Sequence, residues 1–178
     1  MSRYRRERVP GGTYFFTVVT EPRRPVLDRA DARAALRAAI DDTRASRPFH
    51  VDAWVLLPDH LHCIWTLPEG DDDFSVRWNQ IKRMTTWRLR GTPALALADH
   101  THDPRAEGGL WQRRFREHRI RDEEEFERHV DYIHFNPVKH GHVTRVADWP
   151  YSTFHRYVRA GLLPADWGGD ARLRGPFV

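Results

Sequence analysis

Residues 49–67 form two runs of strand length that are apolar almost without interruption, separated by Pro58-Asp59. Proline pre-sets its own φ and aspartate tolerates tight turns, so this pair marks a turn between two strands, 49–57 and 60–67. A strand with one wet face alternates apolar and polar residues. These two do not, which places them in the middle of a sheet covered on at least one face. The second run carries two histidines one residue apart, His60 and His62. Alternation along a strand points both imidazoles to one face and Cys63 to the other, where it reads as a small buried hydrophobe.

The other elements follow from the same periodicities. Residues 13–20 are β-branched and aromatic and form a strand. Residues 28–45 and 74–90 have helical spacing, the second through Phe74, Trp78, Ile81 and Thr85. Residues 91–109 lack periodicity and are expected to be a loop. Residues 110–120 alternate as a strand. Asp122 caps a third long helix whose first turn holds Glu123, Glu124 and Glu125 at the positive end of its dipole. Pro137 is expected to end that helix at Asn136, and a short helix is expected to reach Arg159. The order β-α-β-β-α-β-α predicts an α+β, ferredoxin-like sandwich, an antiparallel sheet with helices on one face. The division expected is a single domain over 1–178, with a core at 10–141 and a C-terminal extension at 142–178 packed on it.

The length of 178 residues, 40% of them hydrophobic, suits one domain with a sizeable core. No apolar run approaches the roughly 20 residues of a membrane span, and no apolar stretch follows the charged N-terminus as a secretory signal would require. One cysteine excludes an internal disulfide framework. A cytoplasmic protein is expected. The formal charge is +4, and the basic residues are arginines apart from Lys82 and Lys139. Their clustering is more informative than their number. Arg3, Arg5, Arg6 and Arg8, then Arg23 and Arg24, then Lys82, Arg83 and Arg88, and finally Arg113, Arg114 and Arg116 form segregated basic segments. Aromatic residues such as Tyr4, Trp87, Trp111 and Phe115 are interleaved with them. That pattern favours a polyanion, and these twelve side chains are the candidate phosphate contacts.

Tyr132 and Asn136 stand four apart on the third long helix and so share a face. Two imidazoles and an amide oxygen can hold a divalent cation, and a phenol beside them can act as a nucleophile. Each feature taken alone also suits a structural role: a half-buried aromatic, a helix cap, a solvated strand face. His100, His102, His140 and His142 form two further pairs, both assigned to loops and expected to be dispensable.

The joint pattern resembles a family. Residues 54–65, 109–120 (Gly-Leu-Trp-Gln-Arg-Arg-Phe at the start) and 132–141 (Tyr-Ile-His-Phe-Asn-Pro-Val-Lys-His-Gly) are similar to the REP-associated tyrosine transposases. So is the later Asp148-Trp149-Pro150-Tyr151-Ser152-Thr153. These are single-tyrosine HUH transposases, in which U is a hydrophobic residue, and the likeness spans most of residues 10–160 in the same order. It implies that His60 and His62 bind the metal, that Tyr132 is the nucleophile and that Asn136 is the third ligand. It further implies a Mg²⁺ or Mn²⁺ cofactor and single-stranded or hairpin DNA of palindromic repeats as substrate, handled by a monomer or a homodimer. The rival readings are a replication-initiator HUH nuclease, a DNA-binding protein that has lost the chemistry, and a zinc protein drawing on His118.

Overall fold

The computed structural model describes residues 7–21, 23–98 and 110–169. Four strands, β1 (Thr13–Val19), β2 (His50–Leu56), β3 (His60–Thr66) and β4 (Arg116–Ile120), form one antiparallel sheet in the order β2-β3-β1-β4. In the register of β1 with β3, Val19 faces His60, Thr17 faces His62 and Thr13 faces Thr66. The Pro58-Asp59 turn is therefore at the end of the sheet where β1 finishes. This is the ferredoxin-like order expected from the sequence.

Helices α1 (Ala30–Ser46) and α2 (Phe74–Arg88) pack side by side on the face to which Tyr14, Phe16, Leu61, Cys63 and Trp65 point. Trp65 stacks on Trp78 of α2 with ring centroids 4.2 Å apart, and Phe16 meets the same indole edge-on. Cys63 is fully buried in this layer, as its parity along β3 requires. The expectation of helices on one face holds for this pair. Helix α4 (Glu123–Lys139), however, lies on the opposite face, where its Val130 and Ile133 cover Ala53, Val55 and Ile64. The reason lies in β2 and β3 together: with Ala53, Val55 and Ile64 beside the histidines, this second face of the sheet is too apolar to be left to water.

Three boundaries differ from expectation. Within the supposed loop 91–109, Pro93–Ala98 forms a short helix, α3, with proline at its first position where no N–H is needed; residues 99–109, including His100 and His102, fall outside those described. Strand β4 is shorter than expected, and Trp111 contributes only an isolated bridge to Thr20. Helix α4 runs through Pro137 instead of stopping before it. Proline forfeits the bond its own N–H would donate and crowds the carbonyl of Ile133, but the end of the helix is secured further on. Gly141, at φ 72°, donates to Val138 O, and His142 N donates to Pro137 O, which together close a Schellman turn.

The C-terminal segment covers the β2 edge of the sheet. Leu56 N donates to Tyr151 O, Thr153 N donates to Trp54 O, and the Trp149 indole donates to Leu56 O. Short helix α5 (Phe154–Arg159) follows, with Phe154 buried. Among the described residues no helix is long and apolar enough to cross a membrane.

Arg77 on α2 is 1% exposed and forms a two-pronged pair with Asp71 at 3.1 and 2.7 Å. It also donates to the carbonyls of Arg47, Pro48 and Asp73. Arg77→Ala would strand those buried acceptors and is expected to cost about 3 kcal/mol in chemical denaturation. The Arg77 guanidinium holds the Asp71 carboxyl below its usual value. A carboxyl with a depressed folded pKa stabilises fully above its unfolded pKa of roughly 4, and the contribution disappears as pH falls through the folded value. Asp71→Asn should therefore remove an acid-side loss of stability seen in the parent.

Candidate active site

The turn that presents β3 is bound on several sides. Thr20 donates from both its backbone N and its hydroxyl to Asp59 O, and Leu27 N donates to Pro58 O. Arg23 adopts a left-handed φ of 63°, strained for a residue with a side chain, and reaches Asp59 Oδ2 at 3.4 Å. Asp59 in turn accepts from His60 Nδ1 at 2.5 Å, while His62 Nδ1 is bonded to Thr17 Oγ1 at 2.9 Å. Both δ nitrogens are thus occupied, which fixes the rings and turns Nε2 toward the α4 face. His60 and His62 are only 6% and 5% exposed, and their rings meet edge-on with centroids 4.9 Å apart. Burial pushes both imidazole pKa values down, His62 far down, so both are neutral at neutral pH and keep a lone pair to give.

Helix α4 lays Tyr132 against this pair, its ring 5.3 Å from His62 and 6.0 Å from Phe15. Burial raises the phenol pKa, with the Asn136 amide working in the opposite direction. Two turns on, Lys139 Nζ lies 5.1 Å from the centre of the Tyr132 ring. That lysine was not singled out from the sequence, although a seven-residue spacing on a helix was the available signal. Asn136 is fully buried, its amide bears on the Tyr132 hydroxyl, and its carbonyl oxygen has no hydrogen-bond partner among the described residues. A buried carbonyl oxygen of this kind is suited to serve as a donor atom.

No three His, Cys, Asp or Glu side chains converge on a common point among the described residues. Asn136, on the helix that lays Tyr132 against His62, offers the pair a neutral carbonyl oxygen. Neutral nitrogen and oxygen donors of this kind suit a divalent cation. His118 does not join them. It sits on β4 opposite Phe15, one strand beyond Thr17, with Nε2 bonded to Glu125 at 2.6 Å and its ring stacked on His129. The zinc reading that depended on it loses its extra ligand.

His140 corrects an expectation. Assigned to a loop away from the site, it caps α4 and brings its ring to 5.3 Å from His60. Its placement was hidden by ending the helix before Pro137. His140→Ala is now expected to slow strand cleavage several-fold without loss of DNA binding, compared in parallel gel and anisotropy assays. His142 stacks on His140 and on Trp149. His134, inside the same motif, faces elsewhere: it bonds Thr153 Oγ1 at 3.0 Å and meets Tyr157, and burial lowers its pKa to about 3. It ties α4 to the C-terminal segment.

The twelve basic candidates separate by position. Arg3, Arg5 and Arg6 lie outside the described residues. Arg8 is at the far end of β1 from His60, engaged by Asp72 and Asp73 at 3.7 and 3.6 Å. Lys82 is not a surface cation, contrary to expectation. It is 3% exposed, and its ammonium donates to the carbonyls of Gln112 and Arg113 at 2.7 and 3.3 Å. A helical residue one position from an exposed arginine falls on a different face, and here that face meets the strand of chain leading to β4. Arg88 pairs with Asp42. Arg23 and Arg24 flank the Asp59 turn, Arg83, Arg113 and Arg114 are exposed, and Arg116 is paired in register with Thr17, which places it on the face of His62.

A ferredoxin-like sheet with an imidazole pair on one strand and a helix-borne phenol against it defines the HUH class of tyrosine transposases. No family model matches the sequence, but individual relatives do. The chain is 51% identical over 170 residues to the REP-associated tyrosine transposase of Escherichia coli K12, covering 96% of this chain and 93% of that one. A Haemophilus influenzae protein assigned to the same family is 42% identical over 174 residues, covering 98% and 97%. The solved structure of a REP-associated tyrosine transposase bound to a REP hairpin matches with a TM-score of 0.83 at 47% identity, over 99% of this chain and 95% of that one. The chain belongs to the REP-associated tyrosine transposases.

Proposed function

We propose that this chain cleaves and rejoins single-stranded DNA beside hairpins formed by palindromic repeats. Tyr132 is the nucleophile, and a divalent cation is held by His60, His62 and Asn136. The observation that carries the reading is the Tyr132 ring 5.3 Å from His62, on the same helical face as the buried Asn136 amide, whose carbonyl oxygen has no hydrogen-bond partner among the described residues. The relative solved with a REP hairpin supports the choice of substrate.

Magnesium or manganese, when bound, would polarise the scissile phosphate and neutralise charge on its nonbridging oxygens. Tyr132 Oη attacks phosphorus, its proton passes to water, the bond from phosphorus to the 3′ oxygen breaks, and the departing oxygen takes up a proton from water. The products are a 5′-phosphotyrosine and a free 3′-hydroxyl. Because the ester link is kept, that hydroxyl, or another, attacks the phosphotyrosine in the reverse sense and strands are rejoined. A phenol raised by burial needs help to ionise, and the Asn136 amide beside it, which lowers its pKa, favours the phenolate.

Phosphate contacts from the exposed arginines make binding salt-dependent, with a log–log slope of roughly −0.7 per phosphate on single strands. Fluorescence anisotropy across salt should show a hairpin with a single-stranded foot bound more tightly than a blunt duplex of equal length. The same hairpin should yield a covalent adduct on a denaturing gel. Equal affinity for both, or no adduct with any hairpin, would defeat the reading.

A further inference from the structure

Helix α2 turns an open groove of about 810 Å³ away from the sheet. Arg47, Arg83, Arg88 and Arg90 line it, no acidic side chain does among the described residues, and Trp87 stands in it 62% exposed. Apart from Leu162, no other large apolar side chain among the described residues is so open to water. Arg88 is paired with Asp42, whereas Arg47, Arg83 and Arg90 are exposed. An exposed indole bordered by four arginines is suited to stack a base and hold the flanking phosphates, and the partly buried Val76 and Met84 beside it supply an apolar floor for the base.

The groove is on the face of the sheet opposite His60 and His62, yet a basic path joins the two. Lys82, at the groove, holds the carbonyls of Gln112 and Arg113 and so draws Arg113 and Arg114 against α2. Phe115 then turns into the core beside Phe16, and Arg116 emerges on the other face in register with Thr17, the partner of His62. The path rounds β4, which among the described residues is an edge strand of the sheet. We propose that unpaired nucleotides beyond the cleavage site wrap the β4 edge along Arg116, Arg114 and Arg113 and stack a base on Trp87 in the α2 groove.

This inference rests on the DNA-cleaving reading but is separable from it. The test uses the full chain and labelled hairpins carrying either a short or a long single-stranded foot. The parent should bind the long foot more tightly. Trp87→Ala should lose about 5- to 150-fold in affinity for the long foot, the loss expected for one stacked base, and nothing for the short one. Trp87→Phe should recover most of the loss, and Arg83→Ala should flatten the salt slope on the long foot alone. Adduct formation on the short foot should be unchanged in both Trp87 variants. If the parent gains nothing from the longer foot, or Trp87→Ala binds it as the parent does while adducts still form, the groove is no DNA surface. A parent that binds neither probe and forms no adduct would overturn the active-site reading along with it.

Discussion

Tyr132→Phe is expected to abolish strand cleavage and the covalent adduct while leaving affinity for a hairpin within a few-fold of the parent. Only the hydroxyl is nucleophilic, whereas the ring supplies the packing against His62 and Phe15 that phenylalanine keeps. The variant should also fold with parental stability, because the change removes a single atom at the rim of the α4 layer. Labelled oligonucleotides resolved on denaturing gels would separate the two functions. Undiminished cleavage by the variant would remove Tyr132 from the chemistry and leave the tyrosine as packing.

An equally large effect is expected at the histidines. His60→Ala and His62→Ala should each eliminate cleavage, and EDTA should do the same to the parent, with activity restored by added Mn²⁺ or Mg²⁺. Asn136→Ala should have a partial effect, since water can replace a neutral ligand. The supporting bonds predict a graded series behind these. Loss of the Asp59 or Thr17 contact to a ring Nδ1 should weaken metal binding about 10- to 100-fold without removing a ligand. Calorimetric titration of metal into each variant reads this independently of activity. Full metal affinity in His60→Ala and His62→Ala would show that the pair is structural.

Much of this arrangement could be read from residues 49–67. Two almost continuous apolar runs marked a pair of neighbouring strands, and parity along the second sent both imidazoles to one face and Cys63 to the other. Only β3 is an inner strand, however, since β2 stands at the sheet edge, where the C-terminal segment covers it and accounts for its apolar character. What parity could not say was which helices cover which face. Helix α4 crosses the histidine side because Ile64 and Val55 make that face apolar too, a property of the assembled sheet rather than of any one strand. The end of α4 was misjudged at Pro137, since the Schellman closure depends on Gly141, four residues later. That single error hid His140. Lys82 was misjudged for a different reason: its burial comes from residues 112–113, distant in sequence, and no local pattern reports that contact.

The most direct measurement is to locate the covalent bond. Parent protein incubated with a hairpin carrying a single-stranded foot, then digested with nuclease and trypsin, should give one modified peptide in mass spectrometry, with the 5′-phosphate on Tyr132. An adduct mapped to any other side chain, or strand cleavage with no adduct at all, would contradict the account.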